Sequence, residues 1–179
     1  MRIVFLRHAP VEKRYEKCFN GWSDIGIEKI DEKVASDLKN RLSKYRFDNI
    51  YSSDLKRCKD TLRFLGLNDF KEMKEFREIR FKSFCEGRTF EDIQKNVEIP
   101  KEAFLSLENW MEFATDESLG EFLERIKRGL KRVKGREVLI CTHKGVIEAA
   151  LKIYTNQEFF SQKISYLDII EINTLLIKN

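Results

Sequence analysis

The run Ile3-Val4-Phe5-Leu6 is apolar at every position and stops abruptly at Arg7-His8. A strand whose two faces are both apolar must be covered on both sides, and a parallel sheet held between two layers of helices meets that demand. Val138 to Cys141 repeats the pattern and runs into Thr142-His143. The chain has 2 histidines, and each follows such a strand. Ligands of open α/β sheets bind in the crevice beyond the carboxyl ends of the strands. Taken alone, Arg7-His8 is an ordinary surface pair past a core strand. The matched placement of both histidines points instead to a site.

The intervening chain alternates in the same sense. Val11 to Asn20 is polar and ends in an Asn20-Gly21 turn, a loop predicted to lie over the first strand end. Ile30, Val34, Leu38 and Leu42, with Ala35 and Tyr45 beside them, recur at the helical period and predict an amphipathic helix over Glu28 to Tyr45. Phe47 to Tyr51 predicts a strand, and Ser52-Ser53-Asp54 supplies candidate caps for a second helix that closes at Gly66. The expectation is an α/β fold: a three-layer sandwich with a mostly parallel central sheet and helices on both faces. Ser118 to Lys134 carries Leu119, Phe122, Leu123, Ile126 and Leu130 on one face, and Thr142-His143-Lys144-Gly145 opens a helix to about Tyr154. Ser165 to Ile177 predicts one or two edge strands. Between these lies a less regular stretch, broken at Glu86-Gly87 and Pro100, with Thr89 and Asp92 as a capping pair and Phe104, Leu107, Trp110 and Met111 at helical spacing. Residues 81–113 are predicted to form a small helical lid over the mouth of the site. At 179 residues, without repeats or linkers, the chain is predicted to be a single domain spanning 1–179.

Charged residues make up 36% of the chain but nearly balance, leaving a net charge of +4 with no basic block of the kind a nucleic-acid arm carries. No apolar run approaches a membrane span or a leader, so a soluble, cytoplasmic protein is expected, with monomer and homodimer both open. Cys18, Cys58, Cys85 and Cys141 are scattered without zinc spacing and predict reduced thiols rather than a metal site.

Two strand-end histidines beside Arg7 form a pocket suited to a phosphate dianion. Arg57, where another strand end meets a helix start, adds a third cation. Guanidinium forks match phosphate oxygens, and helix N-termini add donors. In such a field one imidazole can attack phosphorus and carry the phosphoryl group while the other steadies the transferring oxygens. The arginines supply the charge, so neither metal nor cofactor is expected.

Arg7-His8, Ser52 to Arg57, Arg77-Glu78 leading to Glu86-Gly87-Arg88-Thr89-Phe90, and Thr142 to Val146 stand in an order and spacing that resembles the histidine phosphatase superfamily, in its phosphoglycerate-mutase-like branch. The resemblance implies that His8 is the phosphorylated nucleophile, that Arg7, Arg57 and His143 complete the phosphate pocket, and that Glu78 protonates the leaving oxygen. Phe19 to Ile25 and Asp116 to Phe122 look like the α-ribazole phosphatase and small broad-specificity phosphatase group. That implies a metal-independent phosphatase acting on a small phosphorylated metabolite such as α-ribazole 5′-phosphate. Four departures from the family pattern stand out: Ala9 for the usual Gly, Arg14 for a phosphate-touching Asn, Lys144 for a Gly, and one extra residue at Phe84-Cys85. Arg14 and Lys144 are thereby candidate extra cations for the substrate. Mutase-type transfer, a protein phosphohistidine phosphatase and a silent phosphate-binding module are the competing readings.

Overall fold

The structure, a computed structural model, describes residues 1–174. The chain runs β1 (Arg2–Arg7), α1 (Glu32–Leu42), β2 (Asn49–Ser52), α2 (Lys56–Phe64), β3 (Lys71–Glu72), α3 (Phe90–Asn96), α4 (Leu107–Ala114), α5 (Leu119–Arg132), β4 (Glu137–Thr142), α6 (Lys144–Thr155) and β5 (Ile169–Asn173). The sheet order is β3-β2-β4-β1-β5. All neighbours are parallel except β5, which returns antiparallel along β1.

Alternation along the two central strands builds the layers. Ile3, Phe5, Val138 and Ile140 face α5 and α6, packing with Phe122, Ile126, Val146 and Ala150. Val4, Leu6, Leu139 and Cys141 face the other way, onto Leu38 and Leu42 of α1 and Cys58 and Leu62 of α2. Every one of these eight strand side chains is fully buried, as the two-sided apolar pattern requires. The mostly parallel three-layer α/β sandwich is the observed architecture.

Element ends differ from expectation for identifiable reasons. Helix α1 starts at Glu32, not Glu28, because the Asp31 carboxylate accepts from the Lys33 and Val34 amides and fixes the start there. Ile30 is buried ahead of the helix, and Val34 is 46% exposed. The Ser52-Ser53-Asp54 triplet does not cap α2, whose N-cap is Leu55 with no side-chain bond to the helix. Asp54 is instead gripped by Arg77, whose Nε and Nη2 both donate to it at 2.7 Å. The predicted capping pair Thr89–Asp92 forms a box on α3, and Ser118 with Glu121 forms another on α5. Phe104 ends a short 3-10 turn and is exposed, so α4 begins after it, capped by Ser106. The two-residue edge strand β3 is charged and had no apolar signature. Within the predicted edge stretch β5 is one strand, and residues 175–177 of that stretch lie outside the described residues. Among the described residues no helix is long and apolar enough to cross a membrane.

Candidate active site

Strands β1 and β4 pair with Arg7 opposite Thr142, so the next residues, His8 and His143, leave the sheet side by side. The His8 amide donates to the Thr142 carbonyl at 2.9 Å, and the ring centroids stand 5.1 Å apart at 62°. Nδ1 of His8 lies 2.7 Å from the Ala9 carbonyl. A carbonyl only accepts, so Nδ1 carries the hydrogen and Nε2 holds the lone pair. His143 has the complementary arrangement. The Arg57 Nε–H donates to its Nδ1 at 3.2 Å, so its hydrogen sits on Nε2, which meets Ser53 Oγ at 2.9 Å. Burial is the main cause that holds both imidazoles well below their ordinary value, and the Arg57 guanidinium adds to it. Both rings are therefore neutral at pH 7.

Arg57 is 1% exposed and already engaged. Its Nη1 donates to the Ser23 carbonyl and its Nη2 to those of Asn20 and Gly21, at 2.7–3.1 Å. It ties the loop after β1 to His143. Arg7 donates through Nη1 to the Ile164 carbonyl at 2.7 Å and lies 4.0 Å over the Tyr166 ring, while its buried Nε has no hydrogen-bond partner among the described residues. Glu78 accepts from the Ile79 amide at 3.0 Å and from the Gly145 amide, in the first turn of α6, at 3.2 Å. The Trp22 indole and Arg125 guanidinium both donate to the Glu78 carbonyl, bracing its backbone.

A cavity of about 260 Å³ opens here. Arg7, His8, Glu78 and Lys144 line it, with Asn20, Glu148 and a wall of aromatic rings that includes Phe19, Phe81, Trp110, Phe159, Phe160 and Tyr166. Arg57 and His143 are not in the lining; they are buried against it, His143 touching His8. Phe81, Leu107, Trp110 and Met111 come from the 81–113 stretch, which packs its own small core around Cys85 and Ile93. Lys144 places its Nζ 5.1 Å over the Phe160 ring and 3.8 Å from Glu148 Oε1. The structure does not bring Arg14 to this cavity. Its side chain is 70% exposed, bonded to Glu12 and stacked on Tyr15, because the short turn Lys13–Tyr15 aims it outward.

The sequence reading missed Ser53, taken for a cap, the acceptor Asn20 and the carboxylate of Glu148. For Glu148 a signal existed: it is the one charge in Gly145-Val-Ile-Glu-Ala-Ala-Leu151, every residue of which is buried. A carboxylate in the middle of a buried helix face is uncommon without a partner or a task.

Known proteins resemble this chain in sequence and in fold. A 2,3-bisphosphoglycerate-dependent phosphoglycerate mutase of Borreliella burgdorferi (strain ZS7) is 36% identical over 66 residues, covering 36% of this chain and 27% of that protein. A metal-independent phosphoserine phosphatase of Arabidopsis thaliana is 26% identical over 157 residues, covering 82% of this chain and 66% of that protein. The matched stretch thus spans only about a quarter of the Borreliella protein's length. Among solved structures, Bacillus stearothermophilus YhfR superposes with a TM-score of 0.76 at 21% identity, covering 96% of this chain and 90% of that one. That likeness concerns the fold. The phosphoglycerate mutase of Thermus thermophilus superposes at 0.62 with 25% identity, covering 86% of this chain and 84% of that one. The sequence model of the histidine phosphatase superfamily (branch 1) matches residues 3–175, from the first strand past the last, and the chain belongs to that superfamily.

Proposed function

We propose that the protein is a phosphomonoesterase that hydrolyses a small phosphorylated metabolite through a phosphohistidine on His8, without a metal. The observation that carries this reading is the state of His8: a neutral ring, its Nδ1–H held by the Ala9 carbonyl, its Nε2 lone pair free beside Arg7 in a buried cavity. Nε2 attacks phosphorus, the bond from phosphorus to the ester oxygen breaks, and Glu78 gives that oxygen its proton. Water then attacks phosphorus and gives a proton back to Glu78. The phosphorus–nitrogen bond breaks, and inorganic phosphate leaves. Arg7 binds the phosphate oxygens. His143, its tautomer set by Arg57 and Ser53, stands against the His8 ring and holds it in place, and Lys144 adds positive charge at the rim.

Named phosphatases among the relatives, from Arabidopsis and from Saccharomyces cerevisiae, support hydrolysis. The aromatic wall suits a leaving group with a flat ring, and α-ribazole 5′-phosphate is the first specific compound to try. The test is p-nitrophenyl phosphate hydrolysis with chelator present, by the wild type and by His8→Ala. Turnover that falls to background in the variant is expected, with ³²P from labelled substrate trapped on the wild-type protein by a denaturing alkaline quench, in which a phosphohistidine survives. Wild-type activity that survives His8→Ala would overturn the reading. Label passed to an added phosphoglycerate rather than to water would replace it with mutase-type transfer.

A further inference from the structure

Three buried polar atoms among the described residues have no hydrogen-bond partner: Arg7 Nε, Asn20 Oδ1 and Glu148 Oε1. All three residues line the same cavity. Buried polar groups are nearly always paired, so three orphans converging on one space describe what that space is built to receive. Arg7 Nε is a donor and asks for an acceptor, which a phosphate oxygen supplies. The other two are acceptors and ask for donors, which a phosphate dianion does not have. The Asn20 oxygen is fixed in that role because its Nδ2 donates to the Tyr15 carbonyl at 2.6 Å.

Glu148 is the sharper case. It is 4% exposed, on the inner face of α6. Lys144 sits one turn back, but its Nζ is 3.8 Å from Oε1, beyond hydrogen-bond reach, and is drawn over the Phe160 ring. An exposed i,i+4 ion pair would need no further explanation; a nearly buried carboxylate with an unsatisfied oxygen in a substrate-sized cavity does. We propose that Glu148 is a specificity-determining residue, and that the favoured substrate is a phosphomonoester whose leaving group carries a hydroxyl or ammonium donor that reaches Glu148 Oε1, with Asn20 Oδ1 available to a second donor. This rests on the phosphomonoesterase reading above. In that geometry Arg7 and His8 take the phosphoryl end, and the aromatic wall encloses the carbon skeleton between the two polar ends.

The experiment measures kcat/KM of the full chain on three esters of equal carbon length: propyl phosphate, glycerol 1-phosphate and 3-aminopropyl phosphate. Wild type is expected to favour one of the donor-bearing esters over propyl phosphate by ~10-fold or more, the scale of one charge-assisted hydrogen bond. Glu148→Met keeps length and suits the apolar face of α6, and should collapse that ratio toward one. Glu148→Gln keeps an acceptor but no charge. Its ratio should survive if the recognised donor is a hydroxyl and fall if it is an ammonium. Equal turnover of the three esters by wild type, a preference unmoved by Glu148→Met, or cleavage of p-nitrophenyl phosphate with none of the three turned over would each overturn the inference and leave the phosphatase reading standing. Absence of any His8-dependent phosphatase activity would remove that reading and the inference with it.

Discussion

The α-carbon of Gly145 faces the Glu78 carboxylate so closely that a methyl group built there would overlap Oε1 and stand 3.3 Å from the carboxyl carbon. Gly145→Ala therefore has to push the Glu78 carboxylate off the α6 amide it now meets, a shift that a flexible side chain permits without unfolding the protein. On the proposed mechanism the proton delivered to the leaving oxygen is then misplaced. The loss of kcat is expected to lie within the ~10²–10⁴-fold that positioned acid catalysis contributes. It should be much smaller for p-nitrophenyl phosphate, whose leaving group needs no proton, than for an alkyl phosphate. Equal losses on both substrates would argue against Glu78 as the acid. At this scale the strand-end residues Arg7, His8 and His143 were legible, since a cation or imidazole that ends an apolar run has few places to go. Ser53 was not, and Glu148 only as a lone charge in an apolar run. Ser53 looks like a helix cap until β2 and β4 are paired and His143 stands beside it. The demand on Glu148 appears only once the cavity has walls.

Helix α5 lies against the turn Lys74–Phe76 through Gly129, where an added methyl would stand 2.8 Å from both Glu75 Cβ and the ring of the fully buried Phe76. Gly129→Ala gains about 1 kcal/mol of helix propensity, against an overpacking cost of about 1–3 kcal/mol. The ring has nowhere to move, so the upper part of that range is expected. The net loss of about 1–2 kcal/mol should lower Tm by roughly 2–8 °C at about 2–4 °C per kcal/mol for a chain of this size, with kcat unchanged. A thermal melt that shows no loss would mean that this face of α5 yields more readily than its packing implies. Periodicity made the helices and central strands legible because core burial produced it. Ends were legible where a side chain caps its own helix, as Thr89 and Ser118 do, and where a strand end or a glycine marks the boundary, as at His143 and Gly66. Asp54 resembles a cap but commits its carboxylate to Arg77, a tertiary partner 23 residues away that no local pattern reveals. The strand β3 escaped because an exposed, charged edge pair has no hydrophobic period to detect.

Over the whole molecule, two neutral buried imidazoles make stability depend on pH. Folded, His8 and His143 titrate well below the ordinary value of 6.5, chiefly because they are buried. Unfolded, they take up protons as pH falls through that value, so the unfolded state binds more protons and stability rises with pH across the window. Their contribution is complete above pH 6.5 and is lost as pH falls from there toward the folded values. Burial raises the Glu148 carboxyl, which gives the opposite sign and offsets part of this. Tm is expected to decline between about pH 7.5 and 5.5, and His143→Gln should flatten the decline; a Tm that is level in both proteins would remove the account. The layered architecture as a whole was legible from two apolar runs, because a strand greasy on both faces admits few surroundings. The antiparallel return of β5 was not, since an edge strand of this kind can close a sheet in either direction.

Strand β1 has no partner near it in sequence. Its neighbours are β4 and β5, and the ladder hydrogen bonds along its two edges wait for chain that is made more than a hundred residues later. During synthesis the segment bearing His8 therefore leaves the ribosome long before it can dock. A nascent or prematurely terminated chain exposes that imidazole without Arg57 beside it or His143 against it, as an ordinary and inert histidine. Refolding must bring distant segments together before the sheet is continuous, which is the slow kind of assembly. On the proposed function, competence and closure of the sheet thus become the same event, and a broken chain lacks the assembled site.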